Sequence, residues 1–242
     1  MSSGTIITDY LGRGLLSAIP ATPPIPTGGT GFYYATDVTT LYVWNGSAWT
    51  AVGGAGGLGY PTWDPGNGRF ENFNLDPNRL AITGIYNGGS ADRVLRATSS
   101  KSTGKWYFEC LIGRVGDTHF PIIGITTSTH DEATFVGGDA TAGRGYGMGM
   151  GGTAWTGNSA SSGLSTYAAA DVLGVAVDFT AATGSVTFYK NNVSNKVYGS
   201  QTLGTLFPSI STRGSDAGEK ATLRTIAAQC TYTPPVGFLN WT

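Results

Sequence analysis

Asp171-Val172-Leu173-Gly174-Val175-Ala176-Val177-Asp178-Phe179 is the stretch from which the fold is read. Leu173, Val175, Val177 and Phe179 stand at every second position, with Val172, Gly174, Ala176 and Asp178 between them. Side chains alternate between the faces of a strand, so this spacing makes one large apolar face and one face of smaller residues. Working outward, the same reading predicts strands at Lys105–Ile112, Pro121–Thr127, Ser185–Lys190 and Ala221–Ala227, separated by clusters of Gly, Asn, Asp and Ser. Ala142–Gly152 reads as a further strand, small on one face, with Tyr146, Met148 and Met150 projecting from the other. No capped helical segment exceeds a turn or two, so from Tyr60 to Thr242 the chain is all-β, a sandwich or barrel.

Composition agrees. Of 242 residues 38 are glycine and only 12% are charged, against usual shares of about 7% and about 25%. Six Trp, twelve Tyr and ten Phe supply the apolar surface of a packed core. Fourteen basic and fifteen acidic residues leave a formal charge of −1, which lacks the electrostatic footprint of a nucleic-acid partner or an acidic membrane surface. The start of the chain carries no basic run followed by an apolar stretch of leader length, and no apolar run is long enough for a spanning helix, so membrane insertion is not predicted.

Three segments precede the sandwich. Residues 1–29 end in a run with four prolines between Pro20 and Pro26, which favours an extended arm. The arm reads either as a free tail or as a docking segment through Ile6, Ile7, Tyr10, Leu15 and Leu16. Residues 30–52 alternate aromatic and β-branched runs with an Asp-containing turn and then Asn45-Gly46, the pattern of a three-stranded meander. A sheet of that size is marginal alone, so Phe32, Tyr34, Trp44 and Trp49 are candidates for attachment to neighbours or to further copies. Gly53-Gly54-Ala55-Gly56-Gly57-Leu58-Gly59 reads as a flexible linker. It holds a G-x-G-x-x-G string, as does Gly147–Gly152, but neither lies between a strand and an opening helix, which excludes a dinucleotide fingerprint.

The order of the motifs carries a resemblance. Gly104-Lys105-Trp106-Tyr107-Phe108-Glu109-Cys110, Ile123-Gly124-Ile125, Gly145-Tyr146-Gly147 and Asp171–Asp178 resemble successive strands of SPRY domains. Ser185-Val186-Thr187-Phe188-Tyr189-Lys190-Asn191-Asn192 and Leu206-Phe207-Pro208-Ser209-Ile210-Ser211 continue that likeness. It implies a SPRY-like antiparallel, jelly-roll-like β-sandwich over 60–242 that acts as a binding module. In the Ser185 block Phe188 and Tyr189 are read as packing inward, and Asn192 stands where the family has a turn glycine, a geometry Asn tolerates. Phe32-Tyr33-Tyr34-Ala35-Thr36-Asp37, with Leu41-Tyr42-Val43-Trp44-Asn45-Gly46-Ser47-Ala48-Trp49, is similar to a meander common in bacteriophage tail-fibre and other virion proteins.

Together the two resemblances imply a virion protein assembled in the host cytoplasm. Residues 1–52 would hold other virion proteins, and the sandwich would bind a host surface polysaccharide or protein, as in a tail-fibre or receptor-binding protein. A capsid decoration or head-fibre protein and a polysaccharide depolymerase are the alternatives. Since a lone meander is marginal and fibre-like virion proteins are usually three-fold, a homotrimer is predicted.

SPRY ligands are gripped by loops, here Tyr86–Arg93, Gly116–Phe120, Ser128–Asp139 and Thr153–Tyr167. They supply Tyr86, Asp92, Asp117, His119, His130, Asp131, Glu132, Phe135 and Trp155 as candidate contacts, an aromatic-plus-polar mixture suited to sugars or protein loops. With two histidines and no H-E-x-x-H, G-x-S-x-G or C-x-x-C, the chain lacks the groups of the common catalytic sites, so binding without catalysis, cofactor or metal is predicted. Asp131, Glu132 and Asp139 have the hard oxygens of a cation site, but a charged turn explains the same residues. Cys110 and Cys230 read as buried thiols that would pair only if their strands were neighbours.

Overall fold

The computed structural model describes residues 10–14, 31–35, 40–44, 47, 49–53, 60–68, 71–85, 91–116, 120–181, 183–213 and 218–242. The chain divides into two compact units, Met1–Tyr60 and Pro61–Thr242.

The first unit is a four-stranded sheet in the order β1 (Tyr10–Gly14), β2 (Gly31–Ala35), β3 (Thr40–Trp44), β4 (Trp49–Gly53). Strands β2, β3 and β4 are antiparallel, and Trp44 and Trp49 stand opposite each other across the hairpin, with ring centroids 5.7 Å apart in a T-shaped contact. The sequence predicts an extended arm over residues 1–29 and a three-stranded meander; instead β1, within the arm, pairs in parallel with β2, Tyr10 opposite Gly31, and makes a fourth strand. Parallel pairing needs a long crossover and leaves no local turn signal. Tyr10 lies in β1, and Phe32 and Tyr34 in β2. Ile6, Ile7, Leu15, Leu16 and residues 54–59 of the linker lie outside the described residues.

The second unit comprises β5 (Trp63–Gly68), β6 (Phe73–Leu75), β7 (Ala81–Gly84), β8 (Asp92–Ala97), β9 (Lys105–Arg114), β10 (Ile122–Thr126), β11 (Gly145–Gly149) and β12 (Thr153–Thr156). It continues with β13 (Ser159–Ser161), β14 (Val172–Asp178), β15 (Gly184–Lys190), β16 (Val193–Gln201), β17 (Phe207–Arg213), β18 (Lys220–Arg224) and β19 (Leu239–Asn240). One sheet runs β13-β12-β11-β10-β17-β8-β5 and the other β16-β15-β14-β9-β18-β7-β6, with β19 added in parallel beside β9. All other pairings are antiparallel, and no described residue is helical, so the unit is the antiparallel β-sandwich that the alternation predicts.

The core lies between the sheets. Phe108, Cys110 and Ile112 from β9, Leu173, Val175 and Val177 from β14, and Val186 and Phe188 from β15 face Ile123, Ile125, Tyr146, Met148 and Ile210 of the other sheet. Tyr146, Met148 and Met150 are all buried, as the reading of Ala142–Gly152 requires. Each fully buried side chain of this size contributes roughly 1.5–3 kcal/mol of transfer free energy.

The small-residue face of β14 is buried too, which alternation alone does not predict. Tyr107 lies across it, and a Cβ added at Gly174 would come 2.5 Å from the Tyr107 hydroxyl oxygen and 2.9–3.0 Å from its ring. Tyr189 stands on this outer face, its ring centroid 6.4 Å from that of Tyr107. The inward assignment of Tyr189 is therefore corrected: its neighbour Phe188 enters the core, and adjacent strand residues point to opposite faces. Beyond β18 the chain returns along β9, where the Glu109 carboxylate accepts N–H bonds from Thr231 and Tyr232 at 2.7 and 2.9 Å and the Tyr107 hydroxyl at 3.0 Å. It ends with Trp241 wholly buried against Phe108, ring centroids 5.6 Å apart, its Nε1 donating to Ser99 O.

Candidate binding site

Two regions of the sandwich are candidate binding surfaces, and only the first carries predicted contacts. The first, residues 127–144 between β10 and β11, is organised by Arg96 of β8, whose side chain is 1% exposed. Its Nε donates to Thr126 Oγ1 and Thr127 O, its Nη2 to His130 O at 3.0 Å, and its Nη1 to Asn67 Oδ1 and Glu132 Oε1. A buried guanidinium needs this many acceptors, so Glu132 is drawn back onto the sandwich. His130 is 3% exposed, with Nε2 accepting the Gly137 N–H at 3.3 Å. Burial pulls its pKa below the ordinary value; Asp139 opposes this and Arg96 adds to it. Asp139 accepts from the backbone N–H groups of Asp131 and Thr141 and from Arg144, while Asp131 accepts from Ala133 N–H. Asp131, Glu132 and Asp139 thus serve different partners, and no group of three His, Cys, Asp or Glu among the described residues is placed to hold a metal ion.

Phe135 packs edge-on against Trp155, ring centroids 5.4 Å apart, and Trp155 is only 8% exposed. Asp92 accepts from Arg213 Nε at 2.9 Å. The structure thus gathers His130, Asp131, Glu132, Phe135 and Trp155 in one region, but His130 and Trp155 face the interior. Of the remaining candidates, Tyr86, Asp117 and His119 lie outside the described residues.

The second region is a cleft of about 320 Å³ lined by Ser165, Lys190, Asn191, Val193, Ser194 and Asn195. Its floor is the β15–β16 hairpin, whose connecting residues Asn191 and Asn192 have φ of 47° and 67°. Two consecutive left-handed residues suit a two-residue hairpin, and Asn is among the few side chains that adopt them readily. The Asn191 side chain fixes the turn, accepting the Val172 N–H at 2.8 Å and donating to Asp171 Oδ1 at 2.7 Å. Lys190 Nζ reaches Asp171 Oδ2 at 3.1 Å and Thr166 O at 2.7 Å. Burial acts to raise the Asp171 pKa, but hydrogen bonds from Asn191, Ala168 and Lys190 outweigh it and hold the carboxyl below the ordinary value.

The wall of the cleft is the segment before β14. Asn195 clamps its backbone, accepting the Ser165 N–H at 2.9 Å and donating to Ser165 O at 3.1 Å, and the Tyr167 hydroxyl donates to Tyr189 O. Ser165 falls in the predicted Thr153–Tyr167 loop. From sequence the hairpin residues show only a turn; the signal for them is Lys190-Asn191-Asn192, polar residues at a tight turn.

Cys110 and Cys230 are free thiols, Cys110 buried and Cys230 partly so. Burial and the nearby Glu109 raise both pKa values, that of Cys230 to about 12, so neither is an activated nucleophile.

The profile of the SPRY domain matches residues 105–225, half of the chain. The chain belongs to the SPRY-domain family. Among solved structures, the SPRY domain of human HERC1 is similar at 17% identity with a TM-score of 0.54, over 67% of this chain and 96% of that one. The PSpry domain of TRIM65 is similar at 17% identity with a TM-score of 0.53, over 68% and 91% of the two chains. A human SPRY domain aligns at 16% identity with a TM-score of 0.51, covering 64% of this chain and 95% of its own. No curated protein matches the chain. SPRY domains are typically non-catalytic interaction modules, and the fold of this one is that of the family.

Proposed function

We propose that this SPRY protein is a bacteriophage virion component of the tail-fibre or receptor-binding type, acting by binding without catalysis. Residues 1–52 attach it to other virion proteins, and the sandwich displays its loops to a polysaccharide or protein of the host surface. The observation that carries this reading is the division at Tyr60: a small sheet with a tail-fibre-like sequence on one side and a SPRY interaction fold on the other. The likeness of residues 30–52 to fibre-type virion proteins supports homo-oligomerisation, with a trimer favoured.

The test is adsorption. Purified full-length protein should bind host cells saturably and antibodies against it should block infection, with immunogold label on the tail. Absence of cell binding, or label confined to the head, would overturn the proposal, the latter in favour of a decoration protein.

A further inference from the structure

Resting on that reading of the sandwich as a host-binding module, we infer that the cleft between Ser165 and the β15–β16 hairpin is a site for a neutral saccharide. Its polar groups are held in place before any ligand arrives. Asn195 is fixed through both ends of its amide to Ser165, and Asn191 is fixed to Val172 and Asp171. Groups already immobilised lose little freedom on binding, which favours affinity.

The capacity that remains matches sugar hydroxyls. Lys190 uses two of its three N–H donors, and Asn191 donates one amide hydrogen to Asp171 and retains the other. The Ser194 hydroxyl has no hydrogen-bond partner among the described residues, and it both donates and accepts. A hydroxyl on a pyranose ring does the same, so it can satisfy amide and hydroxyl groups together. Val193, 69% exposed at the rim, offers an aliphatic surface to the C–H face of such a ring.

Charge and size narrow the class further. The Lys190 ammonium lies 3.1 Å from Asp171, so the cleft presents no net positive charge to attract a phosphate or uronate. Its volume of about 320 Å³ sits at the lower end of small-ligand clefts, roughly 300–1,000 Å³, and suits a single sugar unit. A bound peptide would instead add a strand along the edge of β16 and make contacts as far as Val197 and Gly199.

The experiment is a titration of isotope-labelled full-length protein with the methyl glycosides of glucose, galactose, mannose and N-acetylglucosamine, followed by amide chemical shifts. Glucuronate, glucose 6-phosphate and a strand-forming Ser/Thr/Val peptide are run in parallel. At least one neutral glycoside should give saturable shifts at Ser165, Asn191, Ser194 and Asn195, and Asn195→Ala should weaken it about tenfold or more, the loss of a well-made hydrogen-bond set. Ser194→Ala, an exposed change with an unaltered melting temperature, should weaken it several-fold. No shift with any neutral glycoside, tighter binding of the charged sugars, or shifts along β16 with the peptide alone would each overturn the saccharide site. If cell adsorption persists in that case, only the cleft assignment falls; if adsorption is absent while a glycoside binds, only the virion role falls.

Discussion

Glu109 holds Tyr232 by accepting its backbone N–H at 2.9 Å, a contact that closes 123 residues of chain. The same buried carboxylate takes the Thr231 N–H and the Tyr107 hydroxyl, so one side chain ties the returning segment to β9. Glu109→Ala removes the acceptor of one buried hydroxyl and two partly buried N–H groups and should destabilise the sandwich by about 2 kcal/mol or more. Glu109→Gln keeps an acceptor for some of them and should cost about 1–2 kcal/mol. Urea unfolding measures both losses, and hydrogen exchange at Thr231 and Tyr232 should accelerate in the Ala variant before the rest of the sheet.

Gly174 is set by Tyr107. A methyl group there would meet the Tyr107 ring and hydroxyl at 2.5–3.0 Å, in a layer filled on the other side by Tyr189. Gly174→Ala should therefore destabilise by about 1–3 kcal/mol, the usual cost of overpacking. Chemical denaturation with an unchanged slope would check it.

The β15–β16 turn makes opposite predictions for its two asparagines. Asn192, at φ 67°, makes no side-chain hydrogen bond among the described residues, so Asn192→Gly should be neutral or stabilising by a few tenths of a kcal/mol, whereas Asn192→Val should cost about 1–2 kcal/mol. Asn191 also bonds Val172 and Asp171, so Asn191→Gly should lose about 1–2 kcal/mol despite its favourable backbone. Thermal melts should leave the Asn192→Gly variant at or slightly above the parent and lower both of the others.

Acid should act in two stages. His130 is depressed below its ordinary 6.5, chiefly by burial, so the unfolded chain takes up its proton first and stability declines as pH falls below 6.5. Burial acts to raise Asp171 and Asp178, but hydrogen bonds to Asn191, Ala168 and Lys190 for the first, and to Lys105 and Thr180 for the second, hold both below 3.8. Their stabilisation is complete above 3.8 and is lost as pH drops through the folded values. In a series of urea midpoints against pH, His130→Gln should flatten the first decline and leave the second.

Much of the sandwich was legible because its strands are internally periodic. Leu173, Val175 and Val177, and Tyr146, Met148 and Met150, announce their inward faces within a few residues. What escaped the sequence reading depends on partners far away in the chain. Gly174 is covered by Tyr107 of a neighbouring strand, and β1 pairs with β2 across a parallel crossover. His130 and Trp155 have the composition of exposed loop contacts, yet buried Arg96 draws the backbone of His130 inward while Phe135 covers Trp155. The cleft was half visible: its Ser165 wall lay in a predicted loop, but Asn195, thirty residues on, joins it only through the fold.

The strand order of the sandwich governs when it can fold during synthesis. Arg96 of β8 pairs with Ser209 of β17, and Cys110 of β9 with Leu223 of β18, so each sheet joins early and late parts of the chain. A nascent chain released only as far as β16 exposes open strand edges on both sheets, surfaces prone to pair with other chains. This long-range pairing gives the sandwich a high contact order, which predicts slow folding completed only once β17 and β18 are available. A product cut short before β17 lacks the strands that complete both sheets.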